Sequence, residues 1–284
     1  VAQAVELRPL TLGELLDKAF SLYRGNFVLF AGIAMIPGLF YFAMSLVQSV
    51  IQAATESAQR DPAAGAGLLG AMLLGLVVMM LSFIFYLYAY FLSMGAAVFA
   101  VSDLYLGRTT TIREAYGRIR GMAGRVFNVV ISTGLRIFLG FLLLIIPGML
   151  LAARYSLALP ACVLENLKTR EAIRRSILLA EGAWGRILLI LLLSVILTWA
   201  AAALLQVPLV ALGQLTGSTL AAGVLSALGE LLATVLVAPV YTIAIGLQYY
   251  DSRVRKEAFD LQHLMQALEA PGAAPAAAVT PAVS

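Results

Sequence analysis

Apolar residues run along this chain in long stretches, separated by shorter segments in which charged and apolar positions alternate at helical spacing. A helix that crosses a bilayer needs about 20 mostly apolar residues, because hydrocarbon offers its amides no other partner. Residues 27–50 form one such stretch, and a second lies within 68–104, long enough to protrude from the membrane. Residues 125–164 form a mostly apolar stretch broken by Pro147-Gly148. Proline interrupts the hydrogen-bond ladder and glycine permits a turn, so a hairpin of two spans is predicted there. A fifth run covers 187–212, and a sixth lies within 219–250, with a bend expected near Pro239. The expected fold is all-α: a polytopic membrane helix bundle of about six transmembrane helices, with cytoplasmic amphipathic interfacial helices.

The stretches before spans one, three and five resemble one another. Thr11-Leu-Gly-Glu14 and Thr111-Ile-Arg-Glu114 are both capping boxes, which tie down the first free amides of a helix. Thr169-Arg-Glu171 is a shortened version, and in all three an aromatic follows the Glu by 13 residues: Phe27, Phe127 and Trp184. Apolar residues recur at helical spacing between these markers, as basic amphipathic helices at a membrane surface require. The expected organisation is a segment 1–26 with an interfacial helix, then a transmembrane domain 27–250 with interfacial helices near 111–124 and 169–185. A C-terminal helix over 251–270 and a disordered Ala/Pro tail over 271–284 complete it.

Composition agrees with the pattern. Of 284 residues 62% are hydrophobic and 12% charged, half the charge of an ordinary soluble domain. Sixteen of the nineteen Lys and Arg fall within 8–24, 108–125, 168–186 and 253–256. With six spans these regions share one face, which the positive-inside rule makes cytoplasmic, so both termini are expected in the cytoplasm. A single crossing over 125–164 would split them between faces. No apolar core follows a basic leader over 1–25, so no cleaved signal peptide is expected. Cys162 stands alone and reads as a buried apolar residue. One His and one Cys leave little for a metal site, and no H-E-x-x-H, G-x-S-x-G or nucleotide-binding glycine loop is present. No enzyme, cofactor, metal or nucleic-acid partner is expected.

Two groups of polar residues invite a functional reading. Arg136, Arg154 and Glu230 lie inside spans, where ionisable groups usually face the bundle interior. They form a candidate cluster in which Arg154, alone or with Arg136, is expected to pair with Glu230. A functional version has both arginines receiving an anionic headgroup or solute in a bundle cavity, and snorkelling is the alternative. Asp251, Arg253, Arg255, Lys256, Glu257 and Asp260 lie on the C-terminal helix, in three pairs spaced i, i+4. They read either as an anchor for the last span or as a docking site for a soluble cytoplasmic partner. Tyr249, Tyr250 and the glutamines Gln206, Gln214 and Gln248 are expected at the interfaces, and His263 on the surface of the last helix.

Tyr249-Tyr-Asp-Ser-Arg-Val-Arg-Lys-Glu-Ala-Phe-Asp-Leu261 and Arg8-Pro-Leu-Thr-Leu-Gly-Glu-Leu-Leu-Asp-Lys-Ala-Phe20, taken together, resemble the glycerophosphoryl diester phosphodiesterase membrane-domain family. Val101-Ser-Asp-Leu-Tyr-Leu-Gly107 and Glu171-Ala-Ile-Arg-Arg-Ser176 add to the likeness, and Ala258 stands where the family usually has Gly. The resemblance implies a bacterial inner-membrane module, sometimes fused to a catalytic barrel and often standing alone. That barrel's acidic metal ligands and paired histidines have no counterpart here. The expected function is a non-enzymatic module that organises membrane lipid or a protein partner at the cytoplasmic face. The alternative is a transporter or lipid-moving protein with an Arg-lined interior.

Overall fold

The computed structural model describes residues 8–60 and 68–257. Among them the order is α1 (Leu12–Gly25), α2 (Phe27–Arg60), α3 (Leu68–Tyr105), α4 (Ile112–Arg120) and α5 (Ala123–Leu143). Then follow α6 (Ile145–Tyr155), α7 (Ala158–Leu164), α8 (Thr169–Ala180), α9 (Trp184–Leu215) and α10 (Thr219–Glu257), with no strand among the described residues. Six stretches are long and apolar enough to cross a membrane: Phe27–Gln59, Met72–Tyr105, Ala123–Leu143, Ile145–Leu164, Trp184–Leu215 and Thr219–Glu257. The chain is an all-α, multi-pass membrane bundle. His263 and Asp260, the end of the C-terminal helix and the Ala/Pro tail lie outside the described residues.

Both Thr boxes form. Thr11 and Thr111 accept from the amides of Glu14 and Glu114, whose carboxylates accept from the threonine amides in return. In the third copy Lys168 occupies the capping position. A lysine has no acceptor to offer, so only the half made by Glu171, which accepts from the Lys168 amide at 3.0 Å, remains. Phe27, Phe127 and Trp184 are all exposed.

The hairpin between α5 and α6 turns at Leu144, whose backbone is extended, and not at Pro147-Gly148. Proline suits the first turn of a helix, where its missing N–H costs nothing, and Pro147 is the third residue of α6. Gly148 serves packing: a Cβ there would strike the Phe141 ring across the hairpin.

Pro37 and Pro239 lie inside α2 and α10 without ending them. Pro37 deprives the Ile33 carbonyl of its helical donor; Tyr116 Oη and Ser93 Oγ donate to it instead, at 2.8 and 3.1 Å. Near Pro239 the Leu236 carbonyl accepts from Tyr23 Oη at 2.7 Å. Donors from neighbouring helices make Pro37 tolerable in a span.

The tightly packed core sits at one end of the bundle. There α1, α4, α7 and α8 close around the last turns of α3 and α10, burying Leu15, Ile119, Leu157, Leu179, Ile243 and Leu247. Further along the spans large apolar side chains face outward, among them Leu142, Leu143 and Ile146. That is the arrangement a lipid solvent allows.

Candidate functional site

At the packed end the last turns of α10 form the hub of a polar network. The Asp251 side chain is fully buried and accepts from the Leu10 amide at 2.7 Å. It also pairs with Arg186 at 3.0 Å and Arg255 at 2.8 Å. Both arginines reach past it to the Leu10 carbonyl, at 2.9 and 2.6 Å. This single carboxylate thereby ties the chain entering α1 to α9 and α10. One helix face away, Glu165 accepts from Arg175 Nε at 2.9 Å and from Tyr249 Oη at 2.6 Å. Arg175 also donates to Glu257 at 2.8 Å, and Arg253 to Glu257 at 3.1 Å. The hydrogen bond to Glu257 raises the Arg175 pKa against the opposing pull of burial, with Glu165 adding to the rise. Lys256 donates to the Leu178 carbonyl at 2.5 Å.

These contacts revise the expectations for this segment. The Asp251–Arg255 and Arg253–Glu257 pairs form, but inside the assembly and not on a free surface helix. Tyr249 and Tyr250 are buried, not interfacial, and Tyr250 Oη shares a 2.6 Å hydrogen bond with Ser102. Gln248 is buried as well, donating to Ser252 at 3.1 Å while its Oε1 is left without a partner. Cys162 is buried as expected.

The intramembrane cluster does not assemble. Arg136 is exposed on α5 and folds back onto the Ser132 carbonyl of its own helix at 2.7 Å. Arg154 is exposed at the end of α6, where its backbone carbonyl accepts from Ser176 at 2.7 Å. Glu230 accepts from Ser45 Oγ at 3.3 Å, lies beside Tyr41, and forms no ion pair among the described residues. The flexible arginine stems turn outward, where the guanidinium is more cheaply solvated than inside the bundle.

Glu230 instead belongs to a cavity of about 720 Å³ bounded by α2, α3, α9 and α10. Pro37 and Pro239 stand in its walls, together with Ile33, Leu191, Ala202 and Ala238. Polar atoms enter from Tyr41, Tyr86, Tyr90, Thr234, Gln206 and Glu230. Gln206 is therefore a lining residue as well as a residue of the outer part of α9. Val195 and Trp199, exposed on α9, and Tyr90, exposed on α3, stand at its edge. The interior is tyrosine-rich with one acid; Arg136 and Arg154 do not line it.

Sequence reasoning singled out Glu230 but missed its setting. The available signal was four tyrosines and two prolines in four largely apolar spans. No family model, curated protein or solved structure matches the chain.

Proposed function

We propose that this chain is a non-enzymatic module of the bacterial inner membrane that binds membrane lipid in the cavity between α2, α3, α9 and α10. The cavity carries the reading. Its volume of about 720 Å³ falls in the range of ligand pockets, and its wall combines aliphatic surface with a few polar groups. The exposed Val195, Trp199 and Tyr90 at its edge offer a way in from the surrounding lipid. Along α10 the lining runs from Glu230 to Thr242, about 18 Å at 1.5 Å per residue, long enough to hold much of an acyl chain.

The proposed orientation has both termini in the cytoplasm, supported by the basic regions that gather at one end of the bundle. Kinship with stand-alone glycerophosphoryl diester phosphodiesterase membrane domains belongs to the same proposal, on the motifs at 8–20 and 249–261. Lipid is favoured over a soluble partner because Asp251, Arg255 and Glu257 are already engaged with Leu10, Arg186 and Arg175.

Native mass spectrometry of the protein released from a mild detergent tests the reading. Wild type should retain a bound lipid, and Ala238→Phe, which fills the cavity, should lose it while remaining folded. Equal retention by both proteins, or by neither, would sink the proposal.

A further inference from the structure

The cavity holds an unusual pairing: a carboxylate with no cation beside it among the described residues, and a row of aromatic rings in tilted contact along the adjoining wall. Tyr86 lies at the centre of the wall, 5.7 Å from Tyr41 and 5.8 Å from Tyr90 between ring centroids. Tyr41 adjoins Glu230, and Tyr241 and Trp199 line the same space. A carboxylate inside an apolar span is costly unless something neutralises it. The protein supplies only two hydroxyls to it, those of Ser45 and Tyr41, and no cation among the described residues.

Aromatic faces attract cations through their quadrupoles, and cages of such rings recognise alkylated ammonium groups. A carboxylate beside them adds the charge that an ammonium lacks in hydrocarbon. Anionic heads are disfavoured because no Lys or Arg lines the cavity. The geometry points to an amphiphile with an ammonium head as the occupant, its head between Glu230 and the Tyr41–Tyr86 wall and its chain along α10. This inference rests on the lipid-binding reading and narrows it to one head-group chemistry. The ammonium can come from an aminophospholipid of the bilayer or from a lipophilic amine in solution.

The full chain carrying Trp184→Phe keeps Trp199 as its one tryptophan and reports directly on the cavity. It is placed in nanodiscs of phosphatidylglycerol, a host without ammonium groups. Three chain-brominated amphiphiles of equal length, with ammonium, hydroxyl and carboxylate heads, are added at low mole fraction. The ammonium probe should quench Trp199 saturably, and the other two only in proportion to their bilayer content. Glu230→Gln should raise the half-saturating fraction about tenfold, the scale of one lost charge contact in a desolvated site. Tyr86→Leu, which removes a ring and keeps the carboxylate, should shift it the same way and serves if Glu230→Gln does not fold.

Saturation by all three heads without an effect of Glu230→Gln, or a preference for hydroxyl or carboxylate, overturns the ammonium assignment and leaves the lipid cavity standing. Quenching that never saturates overturns both. Chain-brominated phosphatidylethanolamine separates the sources: its saturation assigns a bilayer lipid, and saturation by the free alkylammonium alone assigns a dissolved amine.

Discussion

Asp251 illustrates how far a residue's role depends on its surroundings. On an exposed helix its i, i+4 pair with Arg255 would contribute a few tenths of a kcal/mol. Here the carboxylate is fully buried and also holds Arg186 and the Leu10 amide. Removing one partner of a buried ion pair strands the others, which costs about 3–5 kcal/mol. Asp251→Ala should destabilise the protein by about that much in chemical unfolding from mixed micelles, with Asp251→Asn intermediate because it still accepts from Leu10. A loss within about 0.5 kcal/mol, the level of an ordinary surface change, would show that the hub is dispensable. Glu14, by contrast, is half-exposed at the start of α1. Its hydrogen bond from Arg8, then those from the Thr11 amide and hydroxyl, lower its pKa from 4.5 to about 2. A depressed carboxylate stabilises the folded form above its unfolded pKa and loses that effect as pH falls through the folded value. Hydrogen exchange at the start of α1 should therefore speed up as pH drops from about 4.5 toward 2, beyond the intrinsic pH dependence of exchange. Glu14→Gln should show no such step.

At the scale of elements, the crossings depend on small residues and on shared carbonyls. α9 and α10 meet so closely that a Cβ on Gly213 would lie 2.5 Å from the Ala222 Cα, which belongs to the backbone and cannot swing aside. Gly213→Leu should cost about 1–3 kcal/mol, the range of overpacking in a filled interior, and lower the thermal midpoint in detergent. Gly217, with φ of +65°, makes the turn beyond, yet a Cβ there would meet nothing within 4 Å. The two glycines thus act differently: one through contact, the other through backbone freedom. Pro37 shows a third kind of dependence, since α2 passes through it with the help of hydroxyls from α3 and α4.

The whole molecule pairs a dense polar and apolar core at one end with an apolar flank along the spans. Cysteine labelling reads this arrangement, because Cys162 is buried and contributes little background. Gly121→Cys and Glu181→Cys should react with a water-soluble maleimide from the same side, and Thr216→Cys from the other. Leu144→Cys, at the tip between the spans Ala123–Leu143 and Ile145–Leu164, should react from the same side as Thr216→Cys. Labelling of Gly121→Cys and Glu181→Cys from opposite sides would refute the one-ended arrangement. Reaction of Leu144→Cys with a lipid-soluble reagent alone would show that the α5–α6 hairpin stops short of the far face.

Much of this architecture was legible along the chain. The six spans follow from apolar runs, and the capped starts of α1 and α4 follow from Thr11 with Glu14 and Thr111 with Glu114. These are local matters: a span satisfies its own amides and a capping box closes within four residues. Spacing could not say which faces meet. It could not bury Asp251 against Leu10, 241 positions away, or put Glu230 beside Ser45, 185 positions away. Nor could it turn Arg136 and Arg154 outward, because an arginine in an apolar run has the same neighbours in sequence whether it snorkels or pairs. Hydrophobic periodicity determines that a helix crosses; only the packing of α2, α3, α9 and α10 leaves a cavity between them, since a void is a property of several surfaces that fail to meet.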